Sequence, residues 1–191
     1  MRIYTTLDTD LQEKAEEALK TVFPQDPGPS YSLISLDPSN GYILALVGGK
    51  DYSQSKFNIA TQGKRQPGSI FKVPVLMESI RQNFSPNDKY NPNGPITIDM
   101  PSGPDWVVHN YGDAAYETDE MTVVDATIHS VNIVYAQLMM KVGAPNVEKM
   151  LGEMGITDIG SNPAIALGGL ENGITQLDVT KLFTKSKWSL P

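Results

Sequence analysis

Two side chains three positions apart, Ser69 and Lys72 in Q-P-G-S-I-F-K-V-P-V (residues 66–75), are the pair in this chain best suited to covalent chemistry. Gln66-Pro67-Gly68 reads as a turn, because Pro fixes φ and Gly tolerates backbone that other residues avoid. The apolar run behind it (Ile70, Phe71, Val73, Val75, Leu76, Met77, Ile80) is dense enough for a helix buried on most sides, expected from Ser69 to about Asn83. Pro74 falls in the first turn, where N–H groups are largely free, and is tolerated there. An i,i+3 spacing sets Lys72 on the same face as Ser69. Burial disfavours the ammonium, so a neutral amine is available to take the hydroxyl proton. The N–H groups of the helix start point to the same place, where an oxyanion would form. The competing reading of Ser69 is a plain helix N-cap. A second Ser-x-x-Lys, Ser53 to Lys56 in D-Y-S-Q-S-K-F, has no apolar helix behind it and is read as coincidence.

The rest of the chain must hold that pair. A length of 191 residues, 40% hydrophobic and 19% charged, suits one globular domain with a sizeable core. The net charge of −7 argues against nucleic acid or anionic lipid as the main partner. No apolar run approaches the ~20 residues of a membrane span, and Met1 is not followed by a signal peptide, so the piece is expected to be soluble as it stands. The absence of cysteine removes disulfides, Cys-ligated metal and thiol catalysis. His109 and His129 are the only histidines, and no G-x-S-x-G or H-E-x-x-H occurs, which disfavours a Ser-His-Asp triad and metal chemistry. Asp8, Asp10, Glu13 and Glu16 read as a solvated helix face. No metal and no cofactor is expected.

Thr6 to Lys20 opens with a capping pattern and reads as an amphipathic helix. After a Pro-rich connector, Tyr31 to Asp37 and Tyr42 to Val47 read as strands of a hairpin joined by Pro38-Ser39-Asn40-Gly41. Residues 51–68 read as a loop. The Pro-rich stretch 83–112 reads as a long irregular segment, a functional loop or cleft wall, that Trp106 and Asn110 line. A local packing anchor is the competing role for Trp106. Met121 to His129, Asn132 to Lys141, Pro145 to Met154 and Gly173 to Phe183 are further helix candidates. Between the first two lies Ser130-Val131-Asn132, a Ser and an Asn able to face one cleft from a helix junction; a helix cap is the alternative. Ser85 to Asn87 repeats that spacing without a helix pair. These six helices and one hairpin make an α/β layer protein whose sheet is poorly represented.

With Ser69-Ile-Phe-Lys72 and Ser130-Val131-Asn132 both present, the chain resembles the transpeptidase domain of penicillin-binding proteins, most closely the class A, bifunctional type. T-T-L-D-T-D-L-Q resembles the leader into that domain. L-D-P-S-N-G-Y-I-L-A-L-V-G-G-K-D-Y and F-N-I-A-T-Q-G-K-R-Q-P-G-S resemble its first hairpin and the approach to the nucleophile. A-L-G-G-L-E-N-G-I-T-Q-L-D-V resembles the region before its third motif. The resemblance implies an α/β (α+β) fold, with β-lactamase/transpeptidase-like layers of helices around an antiparallel sheet. It further implies a serine D,D-transpeptidase that cross-links peptidoglycan stem peptides ending in D-Ala-D-Ala and binds β-lactam antibiotics covalently. In those roles Ser69 is the nucleophile, Lys72 its base and Ser130 the proton donor to the leaving amine. Asn132 holds the substrate amide and orients Lys72, and Trp106 is a further substrate-binding candidate. The implied setting is the extracytoplasmic face of the bacterial cell membrane, within a longer anchored chain.

One departure stands out: no Lys-Thr-Gly, Lys-Ser-Gly or His-Thr-Gly occurs anywhere. The expected organisation is therefore a leader helix and connector over residues 1–30, an incomplete transpeptidase-like domain over 31–180, and an atypical tail over 181–191. The C-terminal sheet strands are expected to be missing, leaving a hairpin edge open to self-association. Two other readings remain, a catalytically incomplete fragment with a scaffold or interaction role and a serine β-lactamase or β-lactam sensor.

Overall fold

The computed structural model describes residues 2–24, 28, 30–100 and 103–184. Its elements run α1 (Thr9–Val22), β1 (Leu33–Leu36), β2 (Ile43–Val47), α2 (Ile59–Gln62), a 3-10 turn (Gly68–Phe71), α3 (Lys72–Arg81), β3 (Lys89–Tyr90), β4 (Ile96–Ile98), β5 (Trp106–Val108) and β6 (Met121–Thr122). They continue with α4 (Val123–Ile128), α5 (Asn132–Val142), α6 (Ala144–Glu153), a second 3-10 turn (Pro163–Leu167) and α7 (Gln176–Lys181). Helix and strand thus mix as expected, and every strand pair is antiparallel. Among the described residues each sheet has two strands: β1 with β2, β3 with β6, and β4 with β5. The last two pairs fall in and just after the stretch expected to be irregular. The expected tail, 181–191, lies outside the described residues from 185 onward.

The contacts divide the described residues into two units, residues up to 65 with those from 174 onward, and residues 66–173. In the first, α1 lays Ala15 and Leu19 against Ala45 and Val47 of β2, with Phe23, Tyr31 and Leu33 around them. Its start is Asp8, whose carboxylate accepts from the N–H groups of Asp10 and Leu11. That is later than expected because Thr6 is engaged elsewhere: its Oγ1 donates to the carbonyl of Ile43. The Asp8 N–H donates to the Leu44 carbonyl, and the Gln12 amide exchanges two hydrogen bonds with the Leu46 backbone. The leader therefore covers the outer edge of β2. Arg65 and Ile174 form an isolated antiparallel bridge that ties the far parts of this unit together.

The second unit is built on α5. Ile133, Val134, Tyr135, Ala136, Leu138, Met139 and Val142 are all buried, so this helix is apolar around most of its circumference, with Met140 and Lys141 left exposed. It packs against α3, α6, the Pro163–Leu167 turn and β5. Val108, Ile133 and Ala136 form one cluster, with Ile96, Ile98, Trp106 and Leu167 against it. Trp106 thus sits on β5 as part of the packing around α5. Apolar burial stabilises by about 25 cal/mol per Å², and α5 buries seven of its side chains; its N-terminus opens on the polar residues described next.

Candidate active site

Ser69 lies inside the 3-10 turn Gly68–Phe71, and α3 begins only at Lys72. This differs from the expected single α-helix opened by Ser69, and Ser69 makes no cap hydrogen bond there. Lys72 donates its backbone N–H to the Ser69 carbonyl, so the tighter i,i+3 geometry stacks the two residues. Pro74 is the third residue of α3, where its missing N–H costs nothing. The turn is held from behind by Gln66, whose Nε2 donates to the Leu170 carbonyl (2.6 Å) and whose Oε1 accepts from the Leu170 N–H (2.8 Å). Sequence reading passed over Gln66, since an amide beside a Pro-Gly turn carries no signal of a partner a hundred residues away.

The second arm is the α4–α5 junction. Helix α4 ends at Ile128 with His129 as its C-cap, Ser130 takes a left-handed backbone (φ 53°), and Val131 returns to extended geometry before Asn132 opens α5. A non-glycine residue with positive φ stores strain of order 1 kcal/mol and is kept only where its surroundings require it. Here the conformation turns both the carbonyl and the hydroxyl of Ser130 towards Lys72. The Asn132 side chain is oriented from its other end, its Nδ2 donating to the His109 carbonyl at 2.9 Å.

All of this converges on one amine. Lys72 Nζ lies 3.0 Å from Ser69 Oγ, 2.9 Å from Ser130 Oγ, 2.7 Å from the Ser130 carbonyl and 2.7 Å from Asn132 Oδ1. Lys72 is only 4% exposed, while Ser69 and Ser130 lie at the surface. Burial pushes the amine down from 10.5 to about 8. Against it lies the ring of Tyr135, its centroid 5.8 Å from Nζ. The Thr127 hydroxyl donates to the Val123 carbonyl, so Tyr135 donates to Thr127 Oγ1 at 2.6 Å and its lone pairs do not reach the amine.

Counting protons shows what the arrangement can do. The Ser130 carbonyl and Asn132 Oδ1 can only accept, so each claims one N–H of Lys72. A neutral amine has then spent both of its hydrogens, and its lone pair is left facing the two hydroxyls. It is set to accept a proton from Ser69 or from Ser130, and the two serines share one relay point. The second Ser-x-x-Lys is built otherwise: the Ser53 hydroxyl donates to Asp51 Oδ1 at 2.7 Å within a local turn. The structure thus brings together Ser69, Lys72, Ser130 and Asn132. Trp106 stays with the apolar cluster on β5, outside this hydrogen-bonded group. Among the described residues no group of three or more His, Asp or Glu side chains converges as a metal site.

A family model described as "Penicillin binding protein transpeptidase domain" matches residues 32–185. Among curated proteins, penicillin-binding protein 1B of Haemophilus influenzae is 34% identical over 193 residues, covering 95% of this chain and 24% of that protein. Penicillin-binding protein 2D of Bacillus subtilis is 31% identical, covering 88% and 24%. The crystal structure of penicillin-binding protein 1A from H. influenzae superposes with a TM-score of 0.73 at 29% identity, over 81% of this chain and 23% of that one. Penicillin-binding protein A from M. tuberculosis, solved as an imipenem acyl-enzyme complex, shares the fold with a TM-score of 0.75 at 21% identity, over 92% and 49%. The chain spans about a quarter of the length of these curated relatives.

Proposed function

Since the chain belongs to the penicillin-binding protein transpeptidase family, we propose that it contributes a serine D,D-transpeptidase site that cross-links peptidoglycan stem peptides and is acylated by β-lactams. One observation carries the reading: a buried amine within 3.0 Å of two surface serine hydroxyls and an amide oxygen. In the forward step Ser69 Oγ attacks the carbonyl of the D-Ala-D-Ala bond while neutral Lys72 takes its proton. As the C–N bond breaks, Ser130 gives its proton to the departing amine and is reprotonated from Lys72. The amine of a neighbouring stem peptide then attacks the Ser69 ester, the reverse proton path frees the serine, and the cross-link is complete. Asn132 Oδ1 keeps Lys72 aimed and its amide stands ready for the substrate backbone, with Trp106 as an outlying contact to substrate. A β-lactam follows the first half alone, because its ring-opened amine stays tethered.

The domain carrying this chemistry is proposed to span residues 31–180, with 1–30 as leader and 181–191 as tail. Its proposed place is the extracytoplasmic face of a bacterial membrane within a longer anchored chain; among the described residues no helix is long and apolar enough to cross a membrane. Self-association through β1 is also proposed. With Leu44 and Leu46 facing the leader, the ladder pairs Ala45 and Val47 with Ser35 and Leu33, which turns Ile34 outward. Ile34→Pro, which deletes the outward-facing backbone N–H of residue 34, is expected to leave only monomer in light scattering.

The experiment is labelling with a fluorescent penicillin followed by peptide mass mapping. An adduct on Ser69, absent in Ser69→Ala, is the expected result. A folded protein that takes up no label at any dose would replace this reading with a scaffold role. Rapid turnover of a chromogenic cephalosporin would instead indicate a β-lactamase.

A further inference from the structure

We infer that Asn110 is a positioning residue for the site: with the carbonyl of its neighbour His109 it clasps the first turn of α5 and so fixes the Asn132 side chain against Lys72. Its part in acyl transfer rests on the function proposed above, whereas the clasp itself rests on geometry alone.

Helix α5 starts without a side-chain cap of its own, since Val131 has none to offer. The orphan N–H groups of a first turn need partners from elsewhere. Asn110 supplies one from the loop after β5, its Oδ1 accepting the Ile133 N–H at 3.2 Å. The same amide donates to the Pro92 carbonyl at 2.9 Å and to the Ala114 carbonyl at 3.0 Å. Asn110 is 7% exposed, and its amide has one compatible orientation. Reversed, it would set its oxygen against two carbonyls and its NH2 against an N–H.

One residue back, the His109 carbonyl accepts from Asn132 Nδ2. Consecutive residues 109 and 110 therefore grip consecutive residues 132 and 133. The first bond chooses the Asn132 rotamer, and the second sets the height of α5 against the loop. Without the grip the Asn132 amide is free to turn its NH2 towards Lys72, which replaces an acceptor by a donor and opposes the ammonium. A backbone carbonyl cannot be removed by substitution, so Asn110 is the accessible handle. The His109 side chain plays a different part, pairing with Asp113 at 2.9 Å on the surface.

The test is a titration of Lys72 by carbon-13 NMR of lysine side chains, with the resonance assigned by its loss in Lys72→Met. Asn110→Ala and Asn132→Ala are each expected to displace the midpoint by about half a pH unit in the same direction, because both take the same acceptor from the amine. The double variant is expected to add nothing beyond Asn132→Ala. Gln137→Ala, also on α5, serves as control: it removes hydrogen bonds to the carbonyls of Asn91, after β3, and of Ile133, and should leave the midpoint in place. A midpoint that moves in Asn132→Ala and stays put in Asn110→Ala overturns the inference, as does additivity. If Asn110→Ala does not fold, Asn110→Ser, which reaches at most one of the three partners, is read the same way. Penicillin acylation measured alongside is expected to fall about tenfold in Asn110→Ala. Absence of acylation in the unmodified chain would end the functional reading, while the titration would still decide the clasp.

Discussion

Gly168 and Gly68 meet backbone against backbone: a Cβ on Gly168 would fall 2.6 Å from the Gly68 Cα. Gly168 also holds φ 81°, a left-handed conformation that costs an L side chain roughly 1–2 kcal/mol. Both sit beside the Gln66–Leu170 pair of hydrogen bonds, so the turn presenting Ser69 is braced by the end of the Pro163–Leu167 turn.

Gly168→Ala is accordingly expected to lose about 3 kcal/mol in urea unfolding, from strain plus overpacking. Penicillin acylation should fall with it. Gly152→Ala, in α6 with nothing within 4 Å of the added methyl, should gain about 0.5–1 kcal/mol instead. Equal behaviour of the two variants would show that the contact has no consequence.

Removing the other brace isolates the hydrogen bonds. Gln66→Ala leaves the Leu170 carbonyl without its donor and the Leu170 N–H with the Gly168 carbonyl alone, and is expected to cost about 1–3 kcal/mol. Acylation should slow more than stability alone explains, because the loosened part carries Ser69. Stopped-flow labelling at a temperature where both proteins are folded separates the two effects.

The amine of Lys72, lowered to about 8 by burial, gives a signed pH dependence. Acylation needs the neutral form, so its rate should climb through about pH 8 and level above it. Tyr135, pushed up from 10.0 by burial, stays protonated over that rise. Stability moves in the same sense. The unfolded chain binds the Lys72 proton up to 10.5 and the folded chain only to about 8, so stability rises with pH between them. Denaturant midpoints of the unmodified chain relative to Lys72→Met should widen in its favour across that window, and a flat difference would contradict the burial.

Ser130 sets stability against activity. Glycine accepts φ 53° freely, so Ser130→Gly should be about 0.5–1 kcal/mol more stable than Ser130→Ala while losing the hydroxyl that serves the leaving amine. Ser130→Ala loses the same hydroxyl and keeps the strain. Thermal melts and labelling rates on both variants check the split.

Much of the site was legible because its chemistry is written locally. Ser69 and Lys72 share a helical turn, Ser130 and Asn132 a junction, and a buried amine follows from the apolar run around it. The decoy at Ser53 was recognisable for the same reason, and Asp51 now accounts for its hydroxyl. What stayed hidden depends on partners distant in sequence. β3 to β6 are two or three residues long and lie in and after a Pro-rich stretch, too short for alternation to show. Thr6 looked like part of a capping pattern until the edge of β2 claimed its hydroxyl. Gln66 and Gly168 gave no warning, since a backbone brace needs no distinctive residue type. Asn110 was placed on a cleft wall, and its three contacts show a buried clasp.

Among the described residues, the segment from Thr6 to Gln12 that occupies the Ile43, Leu44 and Leu46 backbone leaves the β1–β2 hairpin with a single side on which another strand can be added. Growth of this sheet by the proposed self-association would therefore be self-terminating. Two copies joined through β1 would exhaust each other's valence, and stoichiometry would stop at two where a hairpin open on both flanks would propagate into fibres.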